Sequence, residues 1–283
     1  MKTKQLKSNQ ILKTTIGAIL FLSVSFSGAT QAAKMTKMQI ASHTSPMPHL
    51  MMLVQVNKND LMLSNQQLAS LSEWKHANQM RVKSLMNSIM EIEKDLYELT
   101  LEGIDQDELA ELRTALAEDR SELIDLKYQC VSNIQKTLDK DQWAMLMKLL
   151  KNQEKISASA KSSVNEMQSF LRVSPMPKFM AIILMHGAEL NLNPEQNKAL
   201  EDWRLKNMNH WSILFGEVLS AEKQLTQDAI ELKDAKKMMA TFKEMTEKRI
   251  EMATMTLACR DNMKKVLTEE QWNKVVKLLK SYI

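Results

Sequence analysis

Glycine and proline are in short supply in this chain, with five of each among 283 residues. Sheet proteins use both at their many tight turns, so the shortage argues against a strand-rich fold. Two of the glycines, Gly17 and Gly28, lie in a leading segment that reads as removable, leaving Gly103, Gly187 and Gly216. These cannot build a Gly-rich phosphate loop of the Walker or dinucleotide type, and nucleotide-driven chemistry goes with it. Cysteine is equally sparse, at two, which excludes a disulfide-dense scaffold. What is present is 44% hydrophobic and 25% charged residues, enough for one or two soluble domains with a real core.

Lys2, Lys4, Lys7 and Lys13 precede an apolar run from Ile16 to Phe26, followed by the small residues Ser27, Gly28, Ala29, Ala32 and Ala33. That order is the layout of a secretory signal peptide over residues 1–32, cleaved near Ala32 or Ala33. The run is about a dozen residues, short of the roughly 20 that span a bilayer as a helix, so no permanent membrane anchor is expected. The whole chain carries 38 Lys and Arg against 34 Asp and Glu, and the four leading lysines account for the difference. A mature protein balanced at zero lacks the basic footprint of a nucleic-acid binder.

The chain repeats itself. Ser45-Pro46-Met47-Pro48 recurs as Ser174-Pro175-Met176-Pro177, an offset of 129 that also carries Trp74 to Trp203, Cys130 to Cys259 and Gln142-Trp143 to Gln271-Trp272. Roughly 30 of 107 aligned positions are identical without a gap. Two tandem modules are expected, at 45–151 and 174–280, joined by a serine-rich polar linker at 152–173. If flexible, those linker residues reach roughly 25 Å, enough for the modules to fold back on each other. Within a module the apolar spacing is helical: Val82, Leu85, Ile89, Ile92, Leu96 and Leu99 recur at steps of three and four. A helix over about 64–101 follows, nearly 60 Å long at 1.5 Å per residue. Gly103 to Asp107 interrupts the pattern, and a second stripe runs from Leu109 to near Thr137. Each module therefore reads as a long all-α hairpin with a short helix before it and another after it.

One short motif occurs four times: Leu63-Ser64-Asn65-Gln66-Gln67, Leu138-Asp139-Lys140-Asp141-Gln142, Leu192-Asn193-Pro194-Glu195-Gln196 and Leu267-Thr268-Glu269-Glu270-Gln271. Each is a capping box, in which Ser64, Asp139, Asn193 or Thr268 accepts from the N3 amide while Gln67, Gln142, Gln196 or Gln271 reaches back to the cap amide. The two copies within each module stand 75 residues apart. Paired in this way on an exported helical chain, the motif resembles the LTxxQ signature of the Spy/CpxP family. The resemblance implies a cradle-shaped helical protein of the periplasm, working as an ATP-independent chaperone or as an envelope-stress or metal-resistance accessory. Members of that family form antiparallel dimers, so two modules in one chain imply an internal pseudo-dimer. Three of the four copies lack the motif's Thr, but Ser, Asn and Asp also cap.

The resemblance thus points to unfolded or misfolded periplasmic proteins as partners, and the rival reading is a metal-responsive accessory that binds copper or zinc, or signals to a membrane stress sensor. Methionine is abundant, with 23 residues, and Met238, Met245, Met252, Met255 and Met263 share one helical face with Cys259. That stripe is either packed core or an adaptable client-binding surface, since thioethers repack at low cost. Cys130 and Cys259 occupy equivalent positions and either bridge, remain separate buried thiols, or serve a thiol-redox or intermolecular role. His43, Met47, His49, Met51 and Met52 gather near the mature N-terminus; soft ligands of this kind suit Cu(I) or Ag(I), or the grouping is incidental. No nucleophile elbow and no Ser, His, Asp arrangement is visible, so neither an enzyme nor a resident cofactor is expected.

Overall fold

The computed structural model of the chain describes residues 37–159 and 170–281. The expected signal peptide lies outside them, as does the middle of the expected linker. The elements in order are α1 (Lys37–Thr44), α2 (Leu50–Val56), α3 (Asn65–Glu102), α4 (Gln106–Thr137), α5 (Lys140–Ser159), α6 (Phe179–His186), α7 (Pro194–Ile230), α8 (Ala235–Val266) and α9 (Glu269–Lys280). The protein is all-α, with no strand among the described residues, and none of its described helices is long and apolar enough to cross a membrane. The starts of α2 and α6, α3 and α7, α4 and α8, and α5 and α9 each stand 129 positions apart.

The long helices begin where their caps dictate. Ser64, Asn193 and Thr268 each accept from the N3 amide while Gln67, Gln196 and Gln271 reach back. At α5, Asp139 N–H donates to Gln142 Oε1 at 3.0 Å and Gln142 N–H to Asp139 Oδ1 at 2.8 Å. Helix α3 ends at Gly103, whose φ of +89° lets the chain close its last turn onto the Leu99 carbonyl. The matching turn of the second hairpin uses Leu232 at φ +48°, a left-handed conformation that costs a side-chain-bearing residue about 1 kcal/mol. Asp105 and Asp234 then cap α4 and α8.

Helices α3 and α4 form one hairpin and α7 and α8 the other, and α4 packs along both α7 and α8. The tip of each hairpin rests on the base of its counterpart. Tyr97 and Leu101 join Phe179, Cys259, Met263 and Trp272 in one apolar cluster. Ile230 and Leu232 join Leu50, Cys130, Ile134 and Trp143 in another. The carbonyls at both tips are also tied across: Arg260 Nη1 donates to Ile104 O at 2.7 Å, and Tyr128 Oη to Lys233 O at 2.9 Å. The two Ser-Pro-Met-Pro segments cross over as well. Met47 is buried against Leu214, Val218 and Phe242 of the second hairpin, and Met176 against Leu85, Leu96 and Leu116 of the first.

Three sequence expectations change. The linker does not begin at residue 152, because α5 continues to Ser159, and at the far end Phe170–Val173 is helical with Val173 buried. The methionine stripe is no client surface: Met238, Met245, Met252 and Met263 are buried and Met255 is half-buried. Helical spacing shows which face of α8 is apolar, but α7, α4 and α6 cover that face. Finally, Cys130 and Cys259 are free thiols in different apolar clusters, one at each end of the paired hairpins, so the bridge does not form. Burial pushes both thiols up to about 12. In unreduced folded protein they are expected to react with a maleimide at a small fraction of the free-cysteine rate, and two equivalents are expected to react on denaturation. A single equivalent or none after unfolding would show that an oxidised form exists.

Candidate functional site

Two polar constructions stand out from the apolar packing. The first grows out of the capping motifs. Once Gln67 and Gln142 have turned back to their own cap amides, their remaining donors face each other: Gln67 Nε2 donates to Gln142 Oε1 at 2.6 Å, and Gln142 Nε2 returns to Gln67 Oε1 at 3.2 Å. Gln196 and Gln271 repeat the exchange at 2.8 and 3.1 Å. Each amide also donates to a carbonyl at the end of a neighbouring segment, Gln67 to Thr137 O and Gln196 to Val266 O, both at 3.0 Å. The motif therefore does more than start helices. It ties two helix starts and one helix end into a single joint, and the constant spacing of 75 within each module was the sequence signal for it.

The second construction is a buried charge network at the middle of the hairpins. Glu93 on α3 receives Arg120 of α4 at 2.5 Å and is hydrogen-bonded by His43 of α1. Glu222 on α7 is held by Arg172 at 3.0 and 2.7 Å and by Arg249 of α8 at 2.6 Å. The triads occupy matching positions, with Arg172 standing where His43 does, Glu222 for Glu93 and Arg249 for Arg120. They are cross-linked through the backbone: Arg120 donates to Arg172 O at 2.8 Å and Arg172 to Ser42 O at 3.0 Å. Burial alone would raise both carboxyls, but for Glu93 the charge of Arg120 and the hydrogen bond from His43, and for Glu222 Arg172 and Arg249, hold them below the usual carboxylate range. Burial, seconded by Arg120, pushes the Arg249 guanidinium down to about 9. Sequence reasoning missed this network. Glu93 and Arg120 do recur at the repeat offset, but charged residues on a long helix ordinarily face water.

The His/Met grouping near the N-terminus is dispersed. His43 is engaged by Glu93, Met47 is core, and His49 turns toward Lys127, whose Nζ lies 3.5 Å from His49 Nδ1. Among the described residues no three His, Cys, Asp or Glu side chains come together in a way that could hold a metal. Burial, and then the charge of Lys127, push the His49 imidazole from its ordinary 6.5 down to about 3. The folded protein therefore keeps His49 neutral where the unfolded chain protonates it. Its contribution is complete above pH 6.5 and is lost as pH falls from 6.5 toward 3. At about 1.4 kcal/mol per unit, the loss reaches about 2 kcal/mol by pH 5. Denaturant unfolding at pH 7.5 and pH 5 is expected to show that difference, and a His49→Asn variant to flatten it.

Large apolar side chains are exposed at both hairpin bases: Val56 and Met62 at and just beyond the end of α2, Leu184 and Met185 at the end of α6. Val56 and Met185 are equivalent positions in the repeat. Surface this apolar is commonly an interaction site.

Among the described residues these features hold helices together and present apolar surface. Residues 183–279 match the LTXXQ motif family, which is not an enzyme family. No curated protein and no solved structure matches the chain. That matched segment, which contains the Gln196–Gln271 joint, is similar to the LTXXQ motif family, of the Spy/CpxP type.

Proposed function

We propose that this protein is a periplasmic, ATP-independent chaperone-like protein that holds unfolded or stressed envelope proteins. The family match over residues 183–279 carries this reading. Export rests on the signal-peptide layout of residues 1–32. The two halves serve as tandem modules that build within one chain the pseudo-dimeric cradle of relatives; the matched helix starts and reciprocal tip-to-base packing support this.

Client contact falls to the exposed apolar chains at the hairpin bases rather than to the methionine stripe. Burying a methionine or leucine against an unfolded segment yields roughly 25 cal/mol per Å², so a few such side chains give weak, reversible holding. The charge-balanced remainder of the surface keeps the complex in solution.

The test is suppression of aggregation of a chemically denatured client by the purified mature protein, repeated with a Val56→Ser, Leu184→Ser, Met185→Ser variant. The wild type is expected to suppress aggregation at near-stoichiometric ratios. The variant is expected to need several-fold more protein at an unchanged unfolding midpoint, since exposed substitutions shift stability by less than about 0.5 kcal/mol. A wild type without protective effect would sink the function, and an unimpaired variant would sink the placement of the surface.

A further inference from the structure

A small cavity of about 40 Å³ opens beside the charge network, between the first hairpin, the second Ser-Pro-Met-Pro segment and α8. Arg113, Arg120 and Arg249 line it together with Ser174, Ile250 and Ala253. Its polar lining is short of acceptors. Arg113 Nη1, Arg120 Nε, Arg249 Nε and Ser174 Oγ are all buried with no hydrogen-bond partner among the described residues. Arg120 and Ser174 are 5% and 3% exposed, so bulk water does not serve them. An orphaned buried donor costs about 1–3 kcal/mol, more when charged, and here four of them surround one cavity.

The charge count points the same way. Arg113, Arg120, Arg172 and Arg249 are answered by two carboxylates, Glu93 and Glu222. Among the described residues Arg113 has no acidic partner, and its hydrogen bond to the Gln106 carbonyl is a long one, 3.5 Å. A part-buried cluster of guanidiniums with surplus positive charge is stabilised by a bound anion that accepts their free N–H groups.

The repeat supplies an internal control. At the matching place in the other half, Phe242 stands for Arg113 and Ile124 for Ala253, and both are buried in a packed apolar cluster. There Ser45 Oγ, the counterpart of Ser174 Oγ, accepts from the Met47 amide at 3.2 Å. One half has filled this position with hydrocarbon. The other has opened it and lined it with unpaired donors.

We propose that this cavity is an anion-binding site for a single carboxylate group, held between Arg113 and the Arg120–Arg249 pair with Ser174 donating from the rim. The size suits three heavy atoms: a water needs about 10–15 Å³ of such space, so 40 Å³ holds roughly three waters or one carboxylate. Arginine forks match carboxylate geometry bidentately, and the cavity's open side admits either a free small acid or the end of a polypeptide. The site stands on its own residues and does not depend on the chaperone reading.

Formate is the probe. Thermal unfolding and isothermal titration of the full mature chain are compared in sodium formate and in sodium chloride at matched ionic strength. One formate per chain is expected to bind, with a saturable rise of several degrees in the unfolding midpoint that chloride does not reproduce. Arg113→Phe, which copies the filled half, is expected to remain folded by circular dichroism and to lose the response; Arg113→Gln does the same without adding bulk. A peptide with a free C-terminal carboxylate and its amide then separate the sources. Binding of the free acid alone identifies chain ends as a source, and formate binding without either peptide identifies small acids. No formate effect beyond chloride, or an effect that survives in both Arg113 variants, overturns the site.

Discussion

Glu222→Gln is expected to lower the free energy of unfolding by about 3–5 kcal/mol. The carboxylate is buried and receives Arg172 and Arg249 together, so the amide leaves two guanidiniums facing each other without a counter-charge. For a domain of this size each kcal/mol moves the melting midpoint by about 2–4 °C, which puts the loss near 10 °C. Thermal unfolding at pH 7.5 measures it. The control is Glu122→Gln in the pair with Arg81, where both side chains are largely exposed and no change is expected. The acid limb follows from the same geometry. Since Glu222 and Glu93 are held below the usual carboxylate range, their contribution is present above the unfolded value and is lost as pH falls through the folded one. A Glu222→Gln protein as stable as the wild type would mean that the network contributes nothing net.

The second large effect belongs to the glutamine joints. Gln196→Ala removes the back-bond to the Asn193 amide, the exchange with Gln271 and the bond to Val266 O in one step. Part of this polar surface reaches water, so the expected cost is about 2–3 kcal/mol, rather than the full sum of the four bonds. The sharper measurement is a double-mutant cycle of Gln196→Ala with Gln271→Ala, with an expected coupling of about 1 kcal/mol. If the residues acted only as independent caps the two losses would add, and the joint between helix starts would have no energetic meaning.

Much of the fold was legible because it is locally encoded. The first long helix runs within one residue of its expected bounds, since Ser64 and Gly103 are strong start and stop signals and the apolar steps of three and four leave no other period. The four caps were readable for the same reason. What stayed hidden depends on what lies opposite a helix. Met245 and Met252 lie on an apolar face whether another helix or a client covers it, and spacing carries no information about the cover. Cys130 and Cys259 align in the repeat, yet the antiparallel pairing of the hairpins places them at opposite ends. Glu93, Arg120 and their counterparts read as solvated charges because burial of a charge is visible only with its partner in place. His43 and Arg172 differ in type, which hid the third member of each triad.

The crossing of Met47 and Met176 bears on how the molecule comes apart. Each arm seals its neighbour's interior with a side chain it supplies from its own leading strap, so neither arm possesses a finished hydrophobic interior when alone. Melting should accordingly be a single concerted event, and a severed half would expose the seat its missing strap used to fill. The same reciprocity gives each arm a permanent partner at fixed local concentration, free of the dilution that dissociates two separate chains.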